Sequence, residues 1–155
     1  MALSVIIVLY ATIGLLAAAG SVFISQKIFS PKAEQIFFAL FLIPIAGFYL
    51  AFTAYFRDDA AWRFEIGGLI AFSVLGLLGM RVSAMLIIGY LLHGLWDAVH
   101  EIHAHGGSEL FSALRTSEIP LAYGVFCATY DWCMAAYFYT RRARWSVAWA
   151  QGGAK

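Results

Sequence analysis

Between Leu91 and His105 the chain reads LLHGLWDAVHEIHAH, a run in which all four histidines, an aspartate and a glutamate interrupt an apolar segment. A helix turns about 100° per residue, so His93, Asp97, His100 and Glu101 fall within an arc of roughly 100° on one face. Imidazole nitrogens and carboxylate oxygens are ligands of Zn²⁺ and of nonhaem iron or manganese. The spacing of His93, Asp97 and His100 can aim three donors at one ion, with Asp131 or Glu101 as a fourth ligand or as an orienting group, and Glu101 able to handle protons. The same groups, buried among apolar neighbours, can instead act as general acid and base, with Asp97 and Glu101 as the catalytic carboxylates. A proton or ion relay is a third use, and a purely structural hydrogen-bonded network a fourth.

These groups need a helix to hold them, and the rest of the chain says what kind. Hydrophobic residues make up 63% of the 155 and charged residues 12%, with a mean hydropathy of +0.80. That exceeds what a soluble domain of this length buries, so the excess must face lipid. A net charge of +1 with no long basic run leaves no electrostatic footprint for nucleic acid. Cys127 and Cys133 lie six apart on one apolar stretch, on different sides of a helix, and read as packing residues.

A hydrocarbon core about 30 Å thick takes roughly 20 apolar residues of helix. Five segments qualify, giving an all-α polytopic membrane bundle: Ala2 to Gln26, Pro31 to Phe56 with Ser30 as N-cap, Ala61 to Met80, Val82 to His103, and Ile119 to Thr140. The first segment also has the small residues Ala17 to Gly20 of a signal-peptide cleavage site, but no basic residue precedes its apolar run, which favours a retained span. With the N-terminus outside, Lys27, Lys32, Arg81, Arg141, Arg142, Arg144 and Lys155 lie inside, against Arg57, Arg63 and Arg115 outside. The positive-inside rule selects this arrangement, in a plasma membrane of bacterial inner-membrane type. Residues 1–140 then form one transmembrane domain, and 141–155 a cytoplasmic tail whose Arg141, Arg142, Arg144, Trp145 and Trp149 suit a superficial anchor. Pro44 should kink the second span. Gly14, Ala17, Ala18 and Gly20 in the first span and Gly67, Gly68, Gly76 and Gly79 in the third read as packing faces.

A charge near the bilayer centre costs at least about 2.5 kcal/mol, so the polar face of the fourth span must look into protein or a wet cavity. From the outer ends of their spans, His93 lies about 18 Å down and Asp131 roughly 16 Å down. Neighbouring antiparallel spans therefore predict that Asp131 meets His93 and Asp97, with Tyr130 nearby. Tyr90 and Trp96 are further candidates for a substrate pocket, and Glu65, one turn into the third span, for the same polar site. His103 and His105 fall at the outer boundary, where they are solvated or extend a metal site outward. The connection Gly106 to Glu118, with Phe111 and Leu114, is either a plain loop or a re-entrant cover.

The pattern LLHxxWDxxH over Leu91 to His100, followed by Ile119 and Pro120, then Gly124, Cys127 and Asp131, resembles a domain-of-unknown-function family of small bacterial and fungal polytopic membrane proteins. The resemblance covers roughly the C-terminal 60 residues. It implies that His93, Trp96, Asp97, His100 and Asp131 belong to one shared site, and it departs at Glu101, where a second histidine is expected. No activity comes with it.

The leading expectation is a membrane-embedded enzyme acting on a lipid-like or isoprenoid-like substrate, with His93, Asp97, His100 and Asp131 as a Zn or nonhaem iron site or as an acid/base centre. A small proton- or ion-coupled transporter is a second reading, weakened because Val82 to Leu92 offers only Ser83 and Tyr90 as polar residues toward the inner face. A structural subunit of a membrane complex is a third. A homo-oligomer is compatible with each.

Overall fold

The computed structural model describes residues 2–105 and 116–151. Five helices follow one another: α1 (Ala2–Ile28), α2 (Pro31–Phe56), α3 (Trp62–Gly79), α4 (Ser83–Ala104) and α5 (Tyr123–Gln151). Among the described residues there is no strand. Helices α1, α2 and α3 are long and apolar enough to cross a membrane. Helices α4 and α5 are long enough, but their histidine, aspartate, tyrosine and tryptophan content lowers their hydropathy; these are the residues that carry the candidate site.

Local chemistry sets several boundaries. Ser30, extended at φ −65° and ψ 158°, accepts the Ala33 N–H at 3.4 Å, and Pro31 sits where no N–H is needed. Arg57 closes α2 in the left-handed conformation at φ 56°. Pro44 lies inside an uninterrupted α2. The fifth helix starts at Tyr123, later than the apolar run beginning at Ile119, because Pro120 opens a turn: its carbonyl accepts the Tyr123 N–H at 3.1 Å, and Ala122 turns left-handed at φ 57°.

Helix α5 packs most extensively on α4 and also on α1, while α2 packs on α3. The apolar core is built from Phe38, Ala39 and Leu42 of α2, Leu86 and Tyr90 of α4, and Met134 and Phe138 of α5. Helix α1 is peripheral: Val5, Val8 and Leu16 are 65–67% exposed, as expected of side chains meeting lipid. It docks along α5 through Gly14 and Ala18, which are buried.

The glycines divide by position. A Cβ on Gly14 would sit 2.5 Å from the Phe126 carbonyl oxygen, and one on Gly76 2.6 Å from that of Ala39, so both mark backbone-to-backbone contacts. Gly20 and Gly67, expected on the same packing faces, have nothing within 4 Å. Gly14→Val should therefore cost about 1–3 kcal/mol in a mixed-micelle unfolding titration as α1 is pushed off α5. Gly20→Val serves as the control, changing stability by less than about 0.5 kcal/mol.

The chain end corrects the expectation of a superficial anchor. Helix α5 continues unbroken past Thr140, and Arg141 and Trp145 are buried. The reason lies across the bundle at Glu34, 0% exposed within apolar α2. Its Oε2 accepts from Arg141 Nε and NH2 at 2.9 and 2.7 Å and from Trp145 Nε1 at 2.8 Å. Its Oε1 accepts from Ser25 Oγ at 3.3 Å and from the Tyr137 hydroxyl. Beside it, Gln35 donates to the Gly79 carbonyl at 2.8 Å and accepts from Trp149 Nε1 at 2.9 Å, and the Arg81 guanidinium lies 4.0 Å from the centre of the Trp149 ring. This end of α5 is clamped to α1 and α2 through the buried Glu34 carboxylate.

Candidate functional site

One face of α4 carries the buried polar groups, because His93, Asp97, His100 and Glu101 share an arc and all lie inside the bundle. That arc is wide enough to meet three different neighbours, so the four do not converge on a single point.

Its centre meets α5 and α2. His93 Nδ1–H donates to Asp131 Oδ2 at 2.6 Å and lies 3.2 Å from Asp97 Oδ2, one helical turn away on its own helix. Asp97 Oδ1 accepts from the Tyr49 hydroxyl. His93, Asp97, Asp131 and Tyr49 are each no more than 1% exposed. With Nδ1–H given to Asp131, the free lone pair of His93 is at Nε2, which has no hydrogen-bond partner among the described residues; neither does Asp97 Oδ2. Buried polar atoms without partners cost stability in an apolar setting, and they concentrate where a ligand completes them.

One edge of the arc meets α3 instead. His100 Nδ1–H donates to the Trp96 carbonyl at 2.8 Å, and its Nε2 is 2.8 Å from Glu65 Oε1, which also accepts the Ser117 N–H at 2.8 Å. The Tyr49 ring bridges the two clusters, its centroid 4.1 Å from that of His100 and 6.1 Å from that of His93. At the other edge Glu101 Oε2 accepts the Gly124 N–H at 3.0 Å, capping the first turn of α5 where the helix dipole favours a carboxylate. His105 Nδ1 lies 2.9 Å from the Glu101 carbonyl and 3.3 Å from its Oε1, and His103 pairs with Thr116.

Beside the central cluster is a cavity of about 320 Å³, within the roughly 300–1,000 Å³ of sites that hold a small molecule. Its deep wall is His93 and Asp131; Tyr123, Cys127 and Tyr130 of α5 continue it, and Ser21 of α1 faces Phe41, Ile45 and Phe48 of α2 across it. The Tyr130 hydroxyl donates to Ser21 Oγ at 3.2 Å. Phe48 is 49% exposed whereas His93 is 1% exposed, so the cavity runs from the outer surface of the bundle to the polar cluster. Helix α1 packs on α5 rather than along α2, which leaves this gap between two consecutive helices.

The expected metal set is thus divided. His93, Asp97 and Asp131 offer donor atoms all within 4.8 Å of one another and could hold a divalent cation. His100 stands apart, both ring nitrogens already bonded, because seven residues along the helix carry it about 10 Å from His93. Glu65 joins His100 rather than the central site. Of the expected pocket residues, Tyr130 lines the cavity; Tyr90 is buried elsewhere, donating to the Phe38 carbonyl at 3.0 Å, and Trp96 stacks on Phe64 at 4.5 Å in a separate groove between α3 and α4. The expected cover, Gly106 to Glu118, lies mostly outside the described residues. Tyr49, Ser21 and Tyr123 were not expected here; in sequence they resemble any other aromatic or small residue of an apolar span. Cys127, read as packing, lines the cavity.

The chain belongs to a family of unknown function, DUF6010, whose sequence profile matches residues 9–144. The match takes in all of the central cluster and most of α1. No curated protein and no solved structure matches the chain.

Proposed function

We propose that this member of the family is a membrane-embedded enzyme that performs acid/base chemistry on a lipid-like substrate held in the cavity beside His93. The reading rests chiefly on one observation: an imidazole that borders a largely apolar cavity, fixed by a carboxylate at Nδ1 and with its buried Nε2 unpartnered among the described residues. A carboxylate on one ring nitrogen sets the tautomer and orientation, and leaves the other nitrogen to take a proton from substrate or return it. Asp131 is the orienting group. Asp97, anchored by Tyr49, stabilises the imidazolium once the proton has moved. Glu101, committed to the first turn of α5, is a positioning residue rather than the proton carrier first expected.

Five spans with the N-terminus outside suit this reading. Helices of 22 and 29 residues extend about 33 and 44 Å, enough to cross, and their polar side chains turn toward each other rather than to lipid. The substrate enters sideways, from the bilayer, through the gap between α1 and α2.

A metal version uses His93, Asp97 and Asp131 as ligands of Zn or iron, which would supply Lewis-acid or bound-water chemistry at the same wall. The two orphaned atoms favour some occupant, but only three donors converge, and the Nδ1 to Oδ2 distance of 2.6 Å is that of a hydrogen bond.

The test incubates purified protein in nanodiscs with a total lipid extract and follows lipid composition by mass spectrometry. Wild type should deplete one lipid class and build up another. His93→Gln and Asp131→Asn should fold as wild type does by circular dichroism yet slow the change at least 100-fold. An unaltered rate in folded His93→Gln would defeat the proposal, and stoichiometric metal lost in His93→Ala would select the metal version.

A further inference from the structure

Two carboxylates and one imidazole make an unbalanced set. Asp131 lines the cavity, its Oδ2 2.6 Å from His93 Nδ1, and Asp97 Oδ2 lies 3.2 Å from the same nitrogen, so two carboxyl groups face a single imidazole and Tyr49 adds only a hydroxyl. Among the described residues that line the cavity none is Lys or Arg, and the nearest buried guanidinium in sequence, Arg141, is engaged by Glu34. A second buried carboxyl either keeps its proton or is ionised against an opposite charge, so a cation placed beside it gains a partner that the protein itself does not supply.

The rest of the wall is suited to such a compensating group. Five aromatic side chains, Phe41, Phe48, Tyr123, Phe126 and Tyr130, surround the approach to His93 and Asp131. Aromatic rings attract organic cations through their quadrupole, most strongly where water is excluded, and cages of several rings with a carboxylate nearby recognise substituted ammonium groups. An anionic headgroup would be opposed by the carboxyl groups, and a neutral one would gain no charge interaction from them.

We infer that the cavity selects amphiphiles with a positively charged polar end, an alkylammonium group seated among the rings against Asp131 with its hydrocarbon chain leading out between α1 and α2. This deepens the proposed function and rests on its placing of the substrate in this cavity. A cation seat at Asp131 explains how a pocket with few polar groups can fix the headgroup end of a substrate beside His93.

The test uses the full chain in uncharged maltoside micelles and three ligands of equal chain length: decyltrimethylammonium, decanol and decanoate. Binding is read from the quenching of tyrosine and tryptophan fluorescence and from the thermal midpoint. Wild type should bind the cation at least tenfold more tightly than either other ligand, and Asp131→Asn should reduce that preference to below twofold. Phe126→Leu, which keeps the carboxylates, should weaken cation binding several-fold and decanol binding less than twofold, and it serves if Asp131→Asn does not fold. Equal or tighter binding of decanol or decanoate, or a cation preference unchanged in the variants, would overturn the inference. Because the lipid-conversion assay of His93→Gln is separate, a neutral ligand preference alongside lost conversion would remove the cation and keep the enzyme. A cation preference with unaltered conversion would do the reverse.

Discussion

Glu34→Ala should lower the unfolding free energy by about 3–5 kcal/mol, the usual cost of removing one member of a buried ion pair. The loss exceeds that of a simple contact because Glu34 accepts from four side chains, Ser25, Tyr137, Arg141 and Trp145, drawn from α1 and α5. Without it the Arg141 guanidinium stays buried, with the Tyr137 ring 5.8 Å away as its remaining neighbour of note. Unfolding titration in mixed micelles reads the effect. The double variant Glu34→Leu with Arg141→Leu should recover more than half of it, since no charge is then left buried alone. A single Glu34→Ala costing under about 1 kcal/mol would mean that water reaches this end of the bundle. Along α5 the cavity is lined by residues between Tyr123 and Asp131, whereas the Glu34 partners begin at Tyr137, so the surviving fraction of folded Glu34→Ala should retain lipid conversion.

Gly124→Val should damage both stability and the candidate site. A Cβ at this position would overlap the Asp97 carbonyl oxygen and lie 2.8 Å from Glu101 Cβ, and its neighbours there are backbone and the root of a side chain, neither able to swing aside. Relief requires α4 and α5 to separate at the level where Glu101 caps α5, at a cost near the upper end of about 1–3 kcal/mol for overpacking. His93 and Asp131 sit on these two helices, so the 2.6 Å bond between them opens as well. The expected result is a less stable protein whose conversion of lipid falls further than its folded fraction. A variant that loses conversion only in proportion to folding would show that the pair tolerates separation. Gly124→Ala, adding the same Cβ without the branches, should show a smaller form of both effects.

The two variants probe features of different legibility. Glu34 is an acidic residue near the start of an apolar run, which by the cost of burying charge already demands a partner, but nothing in the local pattern names that partner. Arg141 gave the opposite impression, because a basic residue at the end of an apolar segment ordinarily snorkels to the interface. Only the continuation of α5 beneath α2 brings the two charges together. Similarly, Gly14 and Gly20 carry the same signal in sequence, yet one touches the Phe126 carbonyl and the other nothing, since six residues leave a helix facing roughly 120° away.

What the sequence determined by itself follows from periodicity and transfer free energy. The apolar runs require helices of membrane-crossing length, the 100° arc of His93, Asp97, His100 and Glu101 requires an inward polar face, and equal depth brings Asp131 to His93. What the tertiary structure decided is how that face is shared. Three helices converge on one arc, so His93 and Asp97 meet Asp131 and Tyr49, His100 turns to Glu65, and Glu101 is spent on capping α5. The cavity is a product of assembly in the same sense: it exists because α1 packs on α5 and leaves α2, and no property of a single helix specifies which neighbour its small residues will choose.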